Sequence, residues 1–271
     1  MEKDRKTADT LLRKKREGKK ITMLTAYDFF MGSLIDSCGI DAILVGDSLG
    51  MVILGHDSTR KVTMDDMITH VRAVRRGVKH SLLIGDMPYR SFDEPHLAVK
   101  NASLLAGEEG CQAVKIEGEA YESAEAIIKS GIPVMGHLGL TPQTAETFKV
   151  RGNDAESAKK ILEASLKLES LGCFALVLEC IPAGLADIIS SKLSIPTIGI
   201  GAGPHCDGQV LVVNDILGLY DKFQPRFVKR YADLAAYAEE AVKRYKREVE
   251  SLIFPDSGHS YKADSNWLEK F

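Results

Sequence analysis

Four runs of branched hydrocarbon in this chain end in an acid: ILVGD at Asp47, LLIGD at Asp86, VKIEG at Glu117 and LVLEC at Glu179. A strand rich in Val, Ile and Leu is built to be buried, and burial penalises a carboxylate unless a partner or a ligand compensates it. Three of the acids, Asp47, Asp86 and Glu117, follow one another in chain order, so strands laid side by side bring them together. Convergent carboxylates repel, and a cation among them relieves the repulsion. Ligation by oxygen alone, with no Cys or His at ligand spacing, suits a hard ion. Few protein ligands with open positions suit Mg²⁺, which keeps waters and accepts a chelating substrate. The plain alternative is that an Asp after a strand serves as a turn former or helix cap.

Side chains alternate along a strand, so Lys115 and Glu117 of AVKIEG share one face while Val114 and Ile116 share the other. If the aliphatic pair meets helices, the charged pair lines the interior, either as part of a site or as an internal salt bridge. Glu179 is followed by Cys180, Ile181 and Pro182, apolar neighbours that disfavour a charged carboxylate and tune it toward general-base work; a rim salt bridge is its structural alternative. His137, in MGHLGLTP, has no second His at metal spacing and reads as a substrate-orienting or hydrogen-bonded core group. The glycines of GIGAG (Gly199, Gly201, Gly203) do not follow the GxGxxG spacing, and a sharp turn after a strand accounts for them better than a phosphate cradle. Ser48 sits in no GxSxG elbow and no cysteine has a base at motif spacing, so nucleophilic catalysis has no support.

These residues need elements to position them. Eight short apolar runs, ITMLTA, AILVGD, LLIGD, AVKIEG, PVMGHL, FALVLE, PTIGIG and QVLVV, alternate mostly with amphipathic stretches. Thr63 and Asp66 form a capping box, Met67, Val71 and Val74 one helical face, and Gly77 a stop; Ile161, Ala164, Leu168 and Leu171 repeat the pattern before Gly172. Near-continuous hydrophobic strands separated by helices are parallel and covered on both faces, and eight units over roughly 250 residues match an α/β fold of the (β/α)₈ TIM-barrel type. A doubly wound open sheet is the other arrangement with this pattern. Acids at strand ends favour the barrel, whose sites lie at the C-terminal rim. We expect one barrel domain over residues 1–271, with a helix within 1–19 that plugs its bottom. A polar tail over 254–271, carrying the only Trp, Trp267, is either frayed or packed on a neighbour.

Composition narrows the partners. Against 38 Asp and Glu stand 35 Lys and Arg, a formal net of -3, which is not the positive field of a nucleic-acid or anionic-membrane binder. No apolar window is long enough to span a bilayer, and the start has no signal-peptide core. Five scattered cysteines without a CxxC pair fit reduced thiols, so the expected compartment is the cytoplasm and the expected partners are small molecules or further copies of the chain.

Taken in order, LTAYD, LVGDSLGMVILGHDSTRKVTMDDM, VKIEG, GHLGLTPQ, LVLECIP and GIGAGPHCDGQVLV resemble the ketopantoate hydroxymethyltransferase family from about Thr22 to about Leu219. The resemblance implies a TIM barrel that binds Mg²⁺. It also implies transfer of a one-carbon unit from 5,10-methylenetetrahydrofolate to 2-oxoisovalerate, and a homo-oligomer, commonly a decamer. It assigns Asp47 and Asp86 to the metal, with Glu117 completing the acidic shell directly or through water. It also places Asp47, Ser48, Asp86 and Lys115 around the oxo acid and makes Glu179 the base, with Tyr27 and His137 near the substrate. After GHLGLTPQ the family has a longer loop with a Gly-Gly-Tyr element, whereas this chain reads TAETFKVRGND. Two other readings compete. A lyase of the phosphoenolpyruvate mutase or isocitrate lyase kind would carry a catalytic Cys in a KKCGH-like loop, absent here; a non-catalytic metabolite-binding barrel would hold its ion for structure alone.

Overall fold

Each apolar run is too short and too rich in β-branched residues to prefer a helix, and each is followed by a stretch that turns the chain back, so the runs become parallel strands. The computed structural model describes residues 5–107, 110–145, 147, 149–220 and 225–262. Its strands are β1 (Ile21–Thr25), β2 (Ala42–Val45), β3 (Leu82–Asp86), β4 (Ala113–Lys115), β5 (Val134–Gly139), β6 (Ala175–Glu179), β7 (Thr197–Ile200) and β8 (Gly208–Leu211). They close into one barrel in chain order, β8 returning to pair with β1 at Ile21 and Gly208. The architecture is therefore the TIM barrel and not the open sheet. Trp267 lies outside the described residues.

The helix ends follow their local chemistry. Met64–Gly77 starts at the expected box, with Asp66 N–H donating to Thr63 Oγ1 at 3.2 Å and Thr63 N–H donating to Asp66 Oδ2 at 2.9 Å. Its buried face is Met67, Val71 and Val74. The helix Ala155–Ser170 is capped by Asp154, whose side chain accepts from Ser157 N–H; the chain leaves it through Gly172 at φ 100°, a conformation a glycine adopts without strain.

Period-two alternation decides what fills the barrel. Ala42 and Leu44, Leu82 and Ile84, Ala113, Met135, Ala175 and Val177, Ile198 and Val210 form one buried cluster. Leu11 joins it from the helix Ala8–Arg16 and is wholly buried. That helix closes the N-terminal end of the barrel: Lys14 pairs with Asp41, before β2, and Lys15 Nζ lies 2.7 Å from Asp207, before β8. Continuing the same inward rows toward the strand ends gives Asp86 after Ile84, Lys115 and Glu117 after Ala113, His137 after Met135, and Glu179 after Val177. The interior is thus hydrocarbon at one end and ionisable at the other.

The chain forms two compact units. One comprises 1–213 with 224–228 and contains the barrel; the other comprises 214–223 with 229–271 and contains the helix Leu234–Glu250.

Candidate active site

Asp86 and Lys115 are the last residues of β3 and β4 and face each other in register. Glu179 ends β6 and pairs in register with Gly139 of β5. Asp47 does not belong to the inward row of β2: the strand stops at Val45, and Asp47 lies in the turn ahead of the short helix Leu49–Val52. Its backbone N–H donates to Asp86 Oδ2 at 3.4 Å, which ties the two acids together through the turn. Asp47, Asp86, Lys115, Glu117 and His137 are all buried, and the Glu179 side chain is 15% exposed.

The contacts form one continuous charged layer. Lys115 Nζ stands 2.7 Å from Asp86 Oδ1 and 3.4 Å from His137 Nδ1. His137 Nδ1 is 3.4 Å from Glu117 Oε2, and its Nε2 is 3.1 Å from Glu179 Oε2. Two of these pairs are close without the direction of a hydrogen bond: Asp86 Oδ1 and His137 Nε2 are shut off from solvent with no hydrogen-bonding partner. The attraction across them is that of charge.

Gln143, in the loop after β5, closes the layer from above. Its N–H donates to Glu117 Oε1 at 2.8 Å, and its amide Nε2 donates to Asp47 Oδ2 at 2.8 Å and to Met87 O at 3.0 Å. Arg60 holds this loop in turn, its Nε donating to Gln143 O at 2.7 Å and its Nη2 to Ala145 O at 3.3 Å. Tyr27 and Ser48 share a hydroxyl hydrogen bond of 2.8 Å. Neither Gln143 nor Arg60 is singled out by sequence reasoning. The only local signal is that Gln143 follows Thr-Pro in a turn directly beyond a strand carrying an ionisable residue.

The electrostatics follow from this crowding. Burial, and then repulsion from Asp86 and Glu117, holds the Asp47 carboxyl well above its ordinary range. Burial likewise raises Asp86, against the opposing attraction of Lys115. For Lys115 burial acts downward, but Asp86, Asp47 and Glu117 outweigh it and the pKa is raised. Burial and the Lys115 charge both disfavour a charged His137; contacts with Glu117 and Glu179 prevail and push it up to about 9. Asp47 and Asp86 therefore form a pair of carboxyls that repel when ionised, with Asp86 Oδ1 in ionic contact with Lys115.

A hard divalent cation fits such a pair, because it neutralises the repulsion between the two carboxylates. Among the described residues no group of three or more His, Cys, Asp and Glu is arranged to hold a metal. Glu117 stands apart from that pair in its bonding, with one oxygen taken by Gln143 and the other directed at His137.

A model of the ketopantoate hydroxymethyltransferase family matches residues 5–257. The 3-methyl-2-oxobutanoate hydroxymethyltransferase of Acetivibrio thermocellus is 49% identical over 98% of this chain and 95% of its own length. The enzyme of the same name from Caldicellulosiruptor bescii is 52% identical over 94% of this chain and 98% of its own. Among solved structures, 2,3-dimethylmalate lyase, of the phosphoenolpyruvate mutase/isocitrate lyase superfamily, superposes with a TM-score of 0.63 at 14% identity, covering 94% of this chain and 89% of that one. Phosphonopyruvate hydrolase, in complex with oxalate and Mg²⁺, gives 0.59 at 12%, covering 93% of each chain. At those identities the lyase and hydrolase share the fold alone, so the lyase reading draws no support from them. The chain is an enzyme, and it belongs to the ketopantoate hydroxymethyltransferase family.

Proposed function

We propose that this enzyme transfers a one-carbon unit from 5,10-methylenetetrahydrofolate to 2-oxoisovalerate (3-methyl-2-oxobutanoate) to give ketopantoate, the first step of pantothenate synthesis. The observation that carries the reading is the separation of roles at the barrel rim. A buried acid pair, Asp47 in the turn after β2 and Asp86 at the end of β3, stands apart from a single carboxylate, Glu179, on β6, and His137 lies between Glu117 and Glu179. A binding barrel needs the acid pair and the lysine; it has no use for a second, separately held carboxylate.

Asp47 and Asp86 would hold Mg²⁺, with Glu117 reaching it through water. When bound, that ion supplies positive charge against the substrate oxygens on which negative charge develops. Lys115 and the Ser48 hydroxyl, the latter oriented by Tyr27, hold the substrate carboxylate. Glu179 removes the proton from C3, and the carbanion character that results is spread onto the ketone oxygen as an enolate. His137, whose Nε2 lies 3.1 Å from Glu179 Oε2, stands against that carboxylate and fixes the direction from which it meets C3. Water adds to the methylene iminium of the folate, the C–N bond breaks and tetrahydrofolate departs, leaving formaldehyde; the enolate attacks that carbonyl carbon, the C–C bond forms, and the new alkoxide takes the proton held by Glu179 to give the hydroxymethyl product. In this reading the catalytic barrel works in the cytoplasm within a homo-oligomer.

The test is deuterium exchange at C3 of 2-oxoisovalerate in D₂O with Mg²⁺, with and without the folate. Exchange should occur in both cases, with ketopantoate formed only when the folate is present. Glu179→Gln should keep substrate binding and lose exchange by a thousandfold or more, since it deletes the proton acceptor itself. Full exchange in that variant removes Glu179 from the role of base, and no exchange by the folded wild type favours the metabolite-binding barrel.

A further inference from the structure

At the opposite rim of the barrel from the acids, one cavity gathers positive charge and unused donors. It has a volume of about 310 Å³ and is lined by Arg5, Arg75, Gly107, Gly110, Gln112 and Pro133, among others. Arg75 is in the last turn of Met64–Gly77, ahead of β3; Gln112 directly precedes β4 and Pro133 directly precedes β5. Because all strands are parallel, these entry segments mark the N-terminal end, and the acids described above mark the other.

The Arg5 side chain is the informative one. Its Nε and Nη2 are buried and neither has a hydrogen-bond partner. These two N–H groups form one edge of the guanidinium, the fork that matches two oxygens of a carboxylate or phosphate. Buried guanidinium donors without an acceptor cost more than most folded proteins tolerate. Arg75 spends Nη1 on Val78 O at 3.1 Å and keeps its remaining donors. Gln112 Oε1 accepts from Leu83 N–H at 2.8 Å, which leaves its NH₂ end as a donor. Asp36, the acid that acts on Arg5, accepts instead from the backbone N–H groups of Lys79, His80 and Ser81 at 2.9, 3.1 and 2.7 Å. Burial, followed by the like charge of Arg75, lowers the Arg5 pKa from its ordinary value. Among the described residues no carboxylate pairs with either guanidinium.

We propose that this cavity binds a doubly charged oxyanion, the phosphate group of a small phosphorylated metabolite, at a site separate from the catalytic mouth. Two guanidiniums that, among the described residues, have no carboxylate paired to either match a dianion better than a monoanion, and the Arg5 fork takes two of its oxygens. The volume lies at the small end of the range for ligand sites, enough for a phosphate with a compact body attached. Binding would remove the cost of the orphaned fork and the repulsion between Arg5 and Arg75 together.

The experiment is titration of inorganic phosphate into the full-chain protein, followed calorimetrically and by ³¹P line width, at an ionic strength held constant with chloride. Saturable binding is expected, undisturbed by 2-oxoisovalerate. Arg5→Gln and Arg75→Gln should each weaken it at least tenfold, Arg5→Lys by a smaller factor because it keeps the charge without the fork, and C3 exchange should stay as in the wild type. If Arg5→Gln fails to fold by circular dichroism, Arg5→Lys and Arg75→Gln carry the comparison. The proposal is overturned if the wild type shows no saturable binding, if the arginine variants bind as the wild type does, or if 2-oxoisovalerate displaces the phosphate.

Discussion

Gln143→Ala isolates what the loop after β5 contributes. The substitution removes two hydrogen bonds, from Nε2 to Asp47 Oδ2 at 2.8 Å and to Met87 O at 3.0 Å, and leaves the backbone bond from Gln143 N–H to Glu117 Oε1 in place. The first is a bond to a carboxylate, worth about 1.5–3 kcal/mol, and the second a neutral one worth about 0.5–1.5 kcal/mol. Gln143 and Met87 are almost wholly buried and Asp47 nearly so, so solvent replaces these bonds only in part, and a loss of about 2–3 kcal/mol in stability is expected. Urea unfolding at neutral pH without added metal reads that number. The loss reaches activity through Asp47: without its donor the carboxylate is no longer held toward the pair with Asp86. C3 exchange at limiting Mg²⁺ should therefore fall about tenfold, equivalent to about 1.4 kcal/mol, and recover partly when Mg²⁺ is raised. Arg60→Ala should produce a smaller version of the same phenotype, and the double variant should lose less than the sum, since both act through one loop. If Gln143→Ala unfolds within about 0.5 kcal/mol of the wild type and exchanges at the wild-type rate, the loop is an onlooker and this account of the site is wrong.

Three further changes test other links. Leu11→Ala removes a fully buried side chain from the helix that closes the barrel; a loss of about 3 kcal/mol is expected in urea unfolding, and a change under about 1 kcal/mol would mean that the plug does not stabilise the barrel. Gly139 has φ 99°, and a Cβ there would stand 2.2 Å from the carbonyl oxygen of Glu179, so Gly139→Ala should cost about 3 kcal/mol or more and reduce C3 exchange more than it reduces substrate binding. A variant that unfolds and exchanges as the wild type does would refute the constraint on Glu179. Asp36 is desolvated, but hydrogen bonds from Ser81, Lys79 and His80 outweigh that and lower its pKa. A lowered folded-state value stabilises above the unfolded-state pKa and fades as pH falls through the folded one. The stability advantage of the wild type over Asp36→Asn should be constant above about pH 5 and shrink below about pH 4; an advantage independent of pH would show that the charge plays no part.

What the sequence made legible is what period two controls. Once the apolar runs are read as parallel strands, alternation puts Lys115 and Glu117 on the face opposite Val114 and Ile116, and the same parity carries Asp86 and Glu179 to the inner rim. Asp47 breaks this rule, since its position comes from the turn beyond β2 and not from the strand, so its meeting with Asp86 depends on a backbone bond across 39 residues. Gln143 and Arg60 were out of reach for a stronger version of the same reason. Gln143 meets Asp47 across 96 residues and Arg60 meets Gln143 across 83. Loops have no repeat that reports which other loop they will cover. His137 falls between these cases. Its inward direction is fixed by parity with Met135, but its placement between Glu117 and Glu179 requires the register of β4, β5 and β6 together. The rim thus divides by origin: apart from Asp47, charge is placed there by strand periodicity, whereas the fit among those charges depends on loop closure. Substitutions in the loops should accordingly change the efficiency of the site more than its identity, which is the pattern expected of Gln143 and Arg60 but not of Glu179.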